Sequence, residues 1–151
     1  AARLLLAGRG ELEESLRRRV AAAPWGDTVA FPGYRSDLPA LYRALDLKVL
    51  LAPGNDGTCR AGLEAMACGV PLLATDRGAL GEMVDDGRTG RVVPAGSADA
   101  LAAALLELLS DRDRLRVMGE RARREVPARF SAIRQANEIE RLYRTVHGAR
   151  S

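Results

Sequence analysis

The sequence predicts an α/β fold: a three-layer, Rossmann-like, doubly wound parallel sheet with a helical C-terminal tail. Three observations carry this. Short apolar runs at residues 3–7, 28–31, 47–52, 70–75 and 91–93 alternate with segments of helical period. Gly, Pro or Asp follows each run within a few residues, as in Gly8-Arg9-Gly10, Pro32-Gly33, Pro53-Gly54, Asp76-Arg77-Gly78 and Pro94. Beyond Pro94 only helical patterns remain.

Residues 3–7 (RLLLA) read as a buried strand ending in the turn at Gly8. Residues 11–23 place Leu12, Leu16 and Val20 at helical spacing, with acids early and arginines late, as the helix dipole favours. Pro24-Trp25-Gly26-Asp27 is a turn, and residues 28–31 are a second strand stopped by Pro32-Gly33. Ser36 or Asp37 can cap a helix to about Leu45, with Leu38, Leu41, Tyr42 and Leu45 on one face. Residues 47–52 form the third strand. A polar turn and a short helix at 59–68 follow, and the break at Gly69-Val70-Pro71 leads into the fourth strand at 70–75. A short helical stretch at 80–84 precedes the last strand, 91–93. Ser97 or Asp99 caps a helix at 100–109. Asp111 starts another that runs through Arg124, and Ser131 caps a third at 132–146. No repeat, linker or low-complexity segment interrupts residues 1–151, a length suited to one domain.

Composition narrows the function. Hydrophobic residues make up 47% and charged residues 28%, which suits a soluble globular chain. No apolar run approaches the ~20 residues of a membrane span, and residues 1–7 do not read as a secretory signal. The net charge is +3 and Lys48 is the only lysine. The arginines are scattered and aromatics are only 4%, which argues against nucleic acid. A solvated arginine-rich surface is the plainer reading; weak affinity for phosphates or anionic headgroups stays open. Cys59 and Cys68 sit near the two ends of one short helix, ~13 Å apart, too far for a disulfide. No second Cys or His set supports a metal. These features fit a reducing cytoplasm.

Several motifs could carry chemistry. Gly8-x-Gly10 lacks the third glycine of a dinucleotide fingerprint, since position 13 is Glu13, and the acids there would repel a pyrophosphate. A tight turn is favoured. Gly33-Tyr34-Arg35 could cover a flat base or be an ordinary loop. Asp56 and Glu64 lie eight positions apart, one in the turn and one among apolar helix residues. A carboxylate in that setting needs a partner. Either an ion pair with Arg60, one turn earlier, or a ligand hydroxyl would serve. His147 is remote and Cys59 has no neighbouring base, so nucleophilic catalysis is unsupported.

The series Leu63-Glu64-Ala65-Met66-Ala67-Cys68-Gly69-Val70-Pro71-Leu72-Leu73-Ala74-Thr75 closely resembles the C-terminal half of retaining GT-B glycosyltransferases, group 1 or family 4. Gly78-Ala79, Glu82-Met83-Val84, Asp86-Gly87, Thr89-Gly90-Arg91-Val92-Val93-Pro94, Phe130-Ser131 and Leu142-Tyr143 continue the resemblance, which spans residues 3–146. It implies a domain that binds a nucleotide-sugar donor, with no cofactor and no metal. In the full-length enzyme it implies transfer of a sugar from an NDP-sugar to an acceptor hydroxyl with retention. Asp56, at the position of the first of the family's paired glutamates, would face the sugar hydroxyls as the catalytic residue. Glu64 would meet the ribose. Backbone N–H groups of Gly57, Thr58, Cys59 and Arg60 would meet sugar and diphosphate, and Tyr34 and Arg35 the base. Asp56 is shorter than the usual glutamate, and Thr58-Cys59-Arg60 replaces the usual Phe-Gly-Leu.

The resemblance also implies missing parts: the N-terminal acceptor domain and the first strand–helix unit, with its Gly-Arg and Lys-Gly. That first strand lies between the strands at 3–7 and 47–52. Its absence leaves two open edges, which either pair directly or take a strand from a second copy. The isolated chain is then expected to be inactive. The tail helix, having lost its platform, is expected to fold back on its own sheet or pack on a neighbour. A homo-oligomer and peripheral membrane association of the full-length enzyme stay open. Alternatives are a sugar-nucleotide epimerase of the same architecture and a non-catalytic nucleotide-sugar-binding or interaction domain.

Overall fold

Each of the five apolar runs forms a strand, and all strand pairings are parallel. The structure is a computed structural model and describes residues 2–51 and 56–148. Two compact units share the chain, Ala1–Leu41 and Tyr42–Ser151, each with its own sheet. Among the described residues β1 pairs with β2 in the first unit, and β4 lies between β3 and β5 in the second.

The first unit pairs β1 (Leu4–Ala7) with β2 (Val29–Gly33). The register runs Leu4 to Val29, Leu5 to Ala30 and Ala7 to Gly33, so β2 spends one extra residue there. That irregularity lets the strand run through Pro32 instead of stopping before it, because a bulged edge strand can spare the missing N–H. Gly33 closes the strand at φ +67. The Gly8 amide donates to its carbonyl at 2.9 Å, which carries the β1–β2 ladder one residue past Ala7. Helix α1 (Glu13–Ala21) starts two residues later than its apolar period suggests. Leu12 precedes it and is 70% exposed, so it is not on a buried stripe. Helix α2 (Leu38–Arg43) has Asp37 as its cap, whose Oδ1 accepts from the Ala40 amide at 3.2 Å.

The second unit orders its sheet β3 (Lys48–Leu50), β4 (Leu72–Thr75), β5 (Gly90–Val93). Central β4 is buried along its whole length, as a parallel strand covered on both faces should be. On one face Leu73 and Val93 pack with Ala104 and Leu108 of α5 (Ala98–Ser110) and with Leu115 and Met118 of α6 (Arg112–Phe130). Burial of each of these leucine, valine and methionine side chains stabilises by ~1.5–3 kcal/mol. On the other face lie α3 (Asp56–Ala67) and α4 (Leu80–Met83). Gly62 seats α3 on the sheet: a Cβ there would come within 2.7 Å of Met83 Cε and 2.9 Å of Leu50 Cδ1.

Two helices depart from expectation. The Asp111 side chain caps α6, accepting from the Arg114 amide at 2.9 Å, but the helix continues past Arg124 and through Pro127 to Phe130. Arg129 fastens that last turn by donating to the Glu82 carbonyl at 2.8 Å. Ser131 caps α7 (Ala132–Gly148) through the Arg134 amide. Every residue from Ala132 to His147 is exposed, so α7 does not fold back on its own sheet. Among the described residues no helix is long and apolar enough to cross a membrane.

Candidate functional site

The parallel sheet dictates where a ligand would sit. β3 ends at Leu50, and α3 begins at Asp56 with its N-terminus at the carboxyl end of that strand. The first turn of a helix carries N–H groups without intrahelical partners and a positive dipole end. Gly57, Thr58, Cys59 and Arg60 make up that turn; Gly57 and Arg60 are exposed, Thr58 and Cys59 half-buried. Pro53, Gly54, Asn55 and the Asp56 side chain lie outside the described residues.

Glu64 follows one turn after Arg60, half-buried. Its partner is Tyr42, whose hydroxyl donates to Oε2 at 3.1 Å; the ion pair with Arg60 is not formed. Tyr42, in the last turn of α2, is only 4% exposed. Burial first, then the hydrogen bond and the negative charge of Glu64, push its pKa up to about 12, so the phenol stays protonated and donates. Lys48, at the start of β3, places its ammonium 5.5 Å from the Tyr42 ring centroid. Burial pulls the Lys48 pKa down, and nearby Glu64 partly offsets this.

Tyr42 and Lys48 are the residues that sequence reasoning missed. By period alone Tyr42 is one member of an apolar stripe. Lys48 carried a usable signal: a lone lysine opening an apolar strand is a charge that needs company.

Tyr34 and Arg35 belong to the first unit. Tyr34 is exposed, and the Arg9 guanidinium lies 5.1 Å from its ring centroid. Arg35 is exposed. Cys59 and Cys68 are both free thiols. Among the described residues no three His, Cys, Asp or Glu side chains gather as metal ligands. Several arginines are engaged in exposed i,i+4 pairs, such as Arg17–Glu13, Arg116–Glu120 and Arg144–Glu140, which suits a solvated surface.

The family model for glycosyl transferases group 1 matches residues 1–125. The chain belongs to that family. A relative, the lipopolysaccharide core biosynthesis mannosyltransferase LpsB of Rhizobium meliloti, is 36% identical over 137 residues, 89% of this chain and 38% of its own length. The group 1 chain thus spans well under half of that relative. Among solved structures, the C-terminal domain of the group 1 glycosyl transferase LpcC from Francisella tularensis matches with a TM-score of 0.70 at 26% identity, covering 81% of this chain and 64% of that one. Anabaena HepE in complex with UDP and glucose matches with a TM-score of 0.80 at 25% identity, covering 95% of this chain and 40% of that one. The group 1 chain therefore has the α/β fold of these structures, with parallel strands and a helical end.

Proposed function

We propose that this chain is the donor-binding part of a glycosyltransferase. The full-length enzyme would move a sugar from a nucleoside-diphosphate sugar to an acceptor hydroxyl with retention and without a metal. The observation that carries the reading is Glu64, a half-buried carboxylate one turn after the exposed Arg60 of α3 and held by Tyr42. Two vicinal ribose hydroxyls suit such an acceptor. Membership of the family and the UDP and glucose held by HepE support the same reading.

In this reading the amides of Gly57, Thr58, Cys59 and Arg60 meet the donor phosphates and sugar. They are donors fixed in advance at a positive helix end, the arrangement that stabilises charge developing on a leaving diphosphate. Asp56 addresses the sugar hydroxyls, and Tyr34 with Arg35 the base. In this reading the full-length enzyme works in the cytoplasm.

The test is titration of nucleoside diphosphates by calorimetry. Glu64→Gln is expected to weaken binding by ~1–3 kcal/mol, the scale of a charge-assisted hydrogen bond. Unchanged affinity, with the fold intact by circular dichroism, would remove the ribose role.

A further inference from the structure

The trio Tyr42, Lys48 and Glu64 asks for more than packing. A buried tyrosine hydroxyl could bond any nearby carbonyl, yet it donates to the carboxylate of Glu64 in α3. The hydrogen bond occupies Oε2 alone, at 3.1 Å, out of about four acceptor positions that a carboxylate offers. The Lys48 ammonium, 5.5 Å from the ring centroid, lies within reach of a cation–π attraction to the same ring.

Resting on the reading of Glu64 given above, we infer that Tyr42 is the positioning residue for that carboxylate, fixing it by one oxygen so that a ribose diol can be accepted. Glutamate has three side-chain torsions, and a free one would lose rotamer entropy on binding. A carboxylate already tethered at Oε2 has lost much of that freedom before the ligand arrives, which raises affinity without adding a contact. Lys48 supports the arrangement from behind the ring without taking the carboxylate into an ion pair.

The decisive experiment compares ribose with dideoxyribose ligands on the full-length protein. Uridine and guanosine diphosphates and their 2′,3′-dideoxy forms are titrated into the wild type, Tyr42→Phe and Glu64→Gln. The phenylalanine keeps the ring that packs and deletes only the hydroxyl. Tyr42→Phe is expected to weaken the ribose ligand by ~3–10-fold and leave the dideoxy ligand unchanged. Glu64→Gln is expected to reduce the same preference further. Equal losses for both ligands, or none, would show a merely structural tyrosine and overturn the inference. If Glu64→Gln keeps the ribose preference intact, or the wild type binds neither diphosphate, the proposed function itself fails. A ligand-free measurement guards against misfolding of the variant: in ultraviolet titration, Glu64→Gln should bring the Tyr42 transition down from about 12. An unmoved transition would deny the contact.

Discussion

Strands β1 and β4 are nearly the same sequence, Leu-Leu-Leu-Ala and Leu-Leu-Ala-Thr, yet β4 is wholly buried and β1 is not buried anywhere. The contrast extends to the units that hold them. Among the described residues up to Leu41 no side chain is buried, whereas buried hydrophobic residues run from Tyr42 to Ala122. The difference lies in neighbours. β4 has a strand on each side and helices over both faces. β1 has one strand partner, and helix α1 contributes no buried residue. An apolar run therefore forecasts a strand; how much stability that strand gains is decided by what the rest of the chain brings to it.

The sharpest way to break the comparison is truncation of matched leucines. Leu73→Ala removes a fully buried side chain flanked by Val93, Leu108 and Met118, and is expected to cost ~2.5–5 kcal/mol. Leu5→Ala, at a side chain 36% exposed, is expected to cost less than ~1.5 kcal/mol. Urea midpoints of the two variants at equal slope would measure this. Equal losses would mean that β1 is covered as well as β4.

Hydrogen exchange sharpens the same point without mutation. Amides of β4 are expected to exchange only on global opening, while those of β1 and β2 exchange through local opening. The separation should reach roughly 100-fold or more, equivalent to ~2.7 kcal/mol of opening free energy. Coincident protection of both sheets would join the two units into one cooperative block.

How much of this was legible in the sequence follows the same division. Period and turn residues located every strand to within two residues at the described positions, because a parallel strand must be apolar and must end in a turn. Asp37, Ser97, Asp111 and Ser131 are caps because their side-chain oxygens reach amides three residues on. What could not be read was tertiary. Pro127 does not end α6, since a contact from Arg129 to the Glu82 carbonyl, 47 positions away, holds the turn. Leu12 matched a helical stripe that has no core to face. In the site, Glu64 was identifiable as a carboxylate out of place, but its partner stands 22 positions earlier on another helix, and no local pattern points to Tyr42. Asp56 was the other half of the paired-acid signal, and its side chain lies outside the described residues.

The smallest expected effect concerns α7, the part of the second unit that resembles the first in lacking burial. Ile133, Leu142, Tyr143 and Val146 are each more than half exposed, a larger run of open apolar side chains than a monomer usually keeps. Charge pairs hold the helix itself: Arg134 Nε lies 3.0 Å from Glu138 and Arg144 Nη2 2.6 Å from Glu140. Each contributes only ~0.3–0.5 kcal/mol, and a helix of 17 residues is marginal without a packed face. The amides of α7 should therefore exchange faster than those of α3, whose Ala65 and Met66 are fully buried. A chain ending at Ser131 should keep its unfolding free energy in urea to within ~1 kcal/mol, the scale of surface changes. Should α7 prove the more protected helix, or its removal cost as much as Leu73→Ala, then its apolar stripe is already seated within this chain. The view that its partner lies beyond residues 42–131 would be lost.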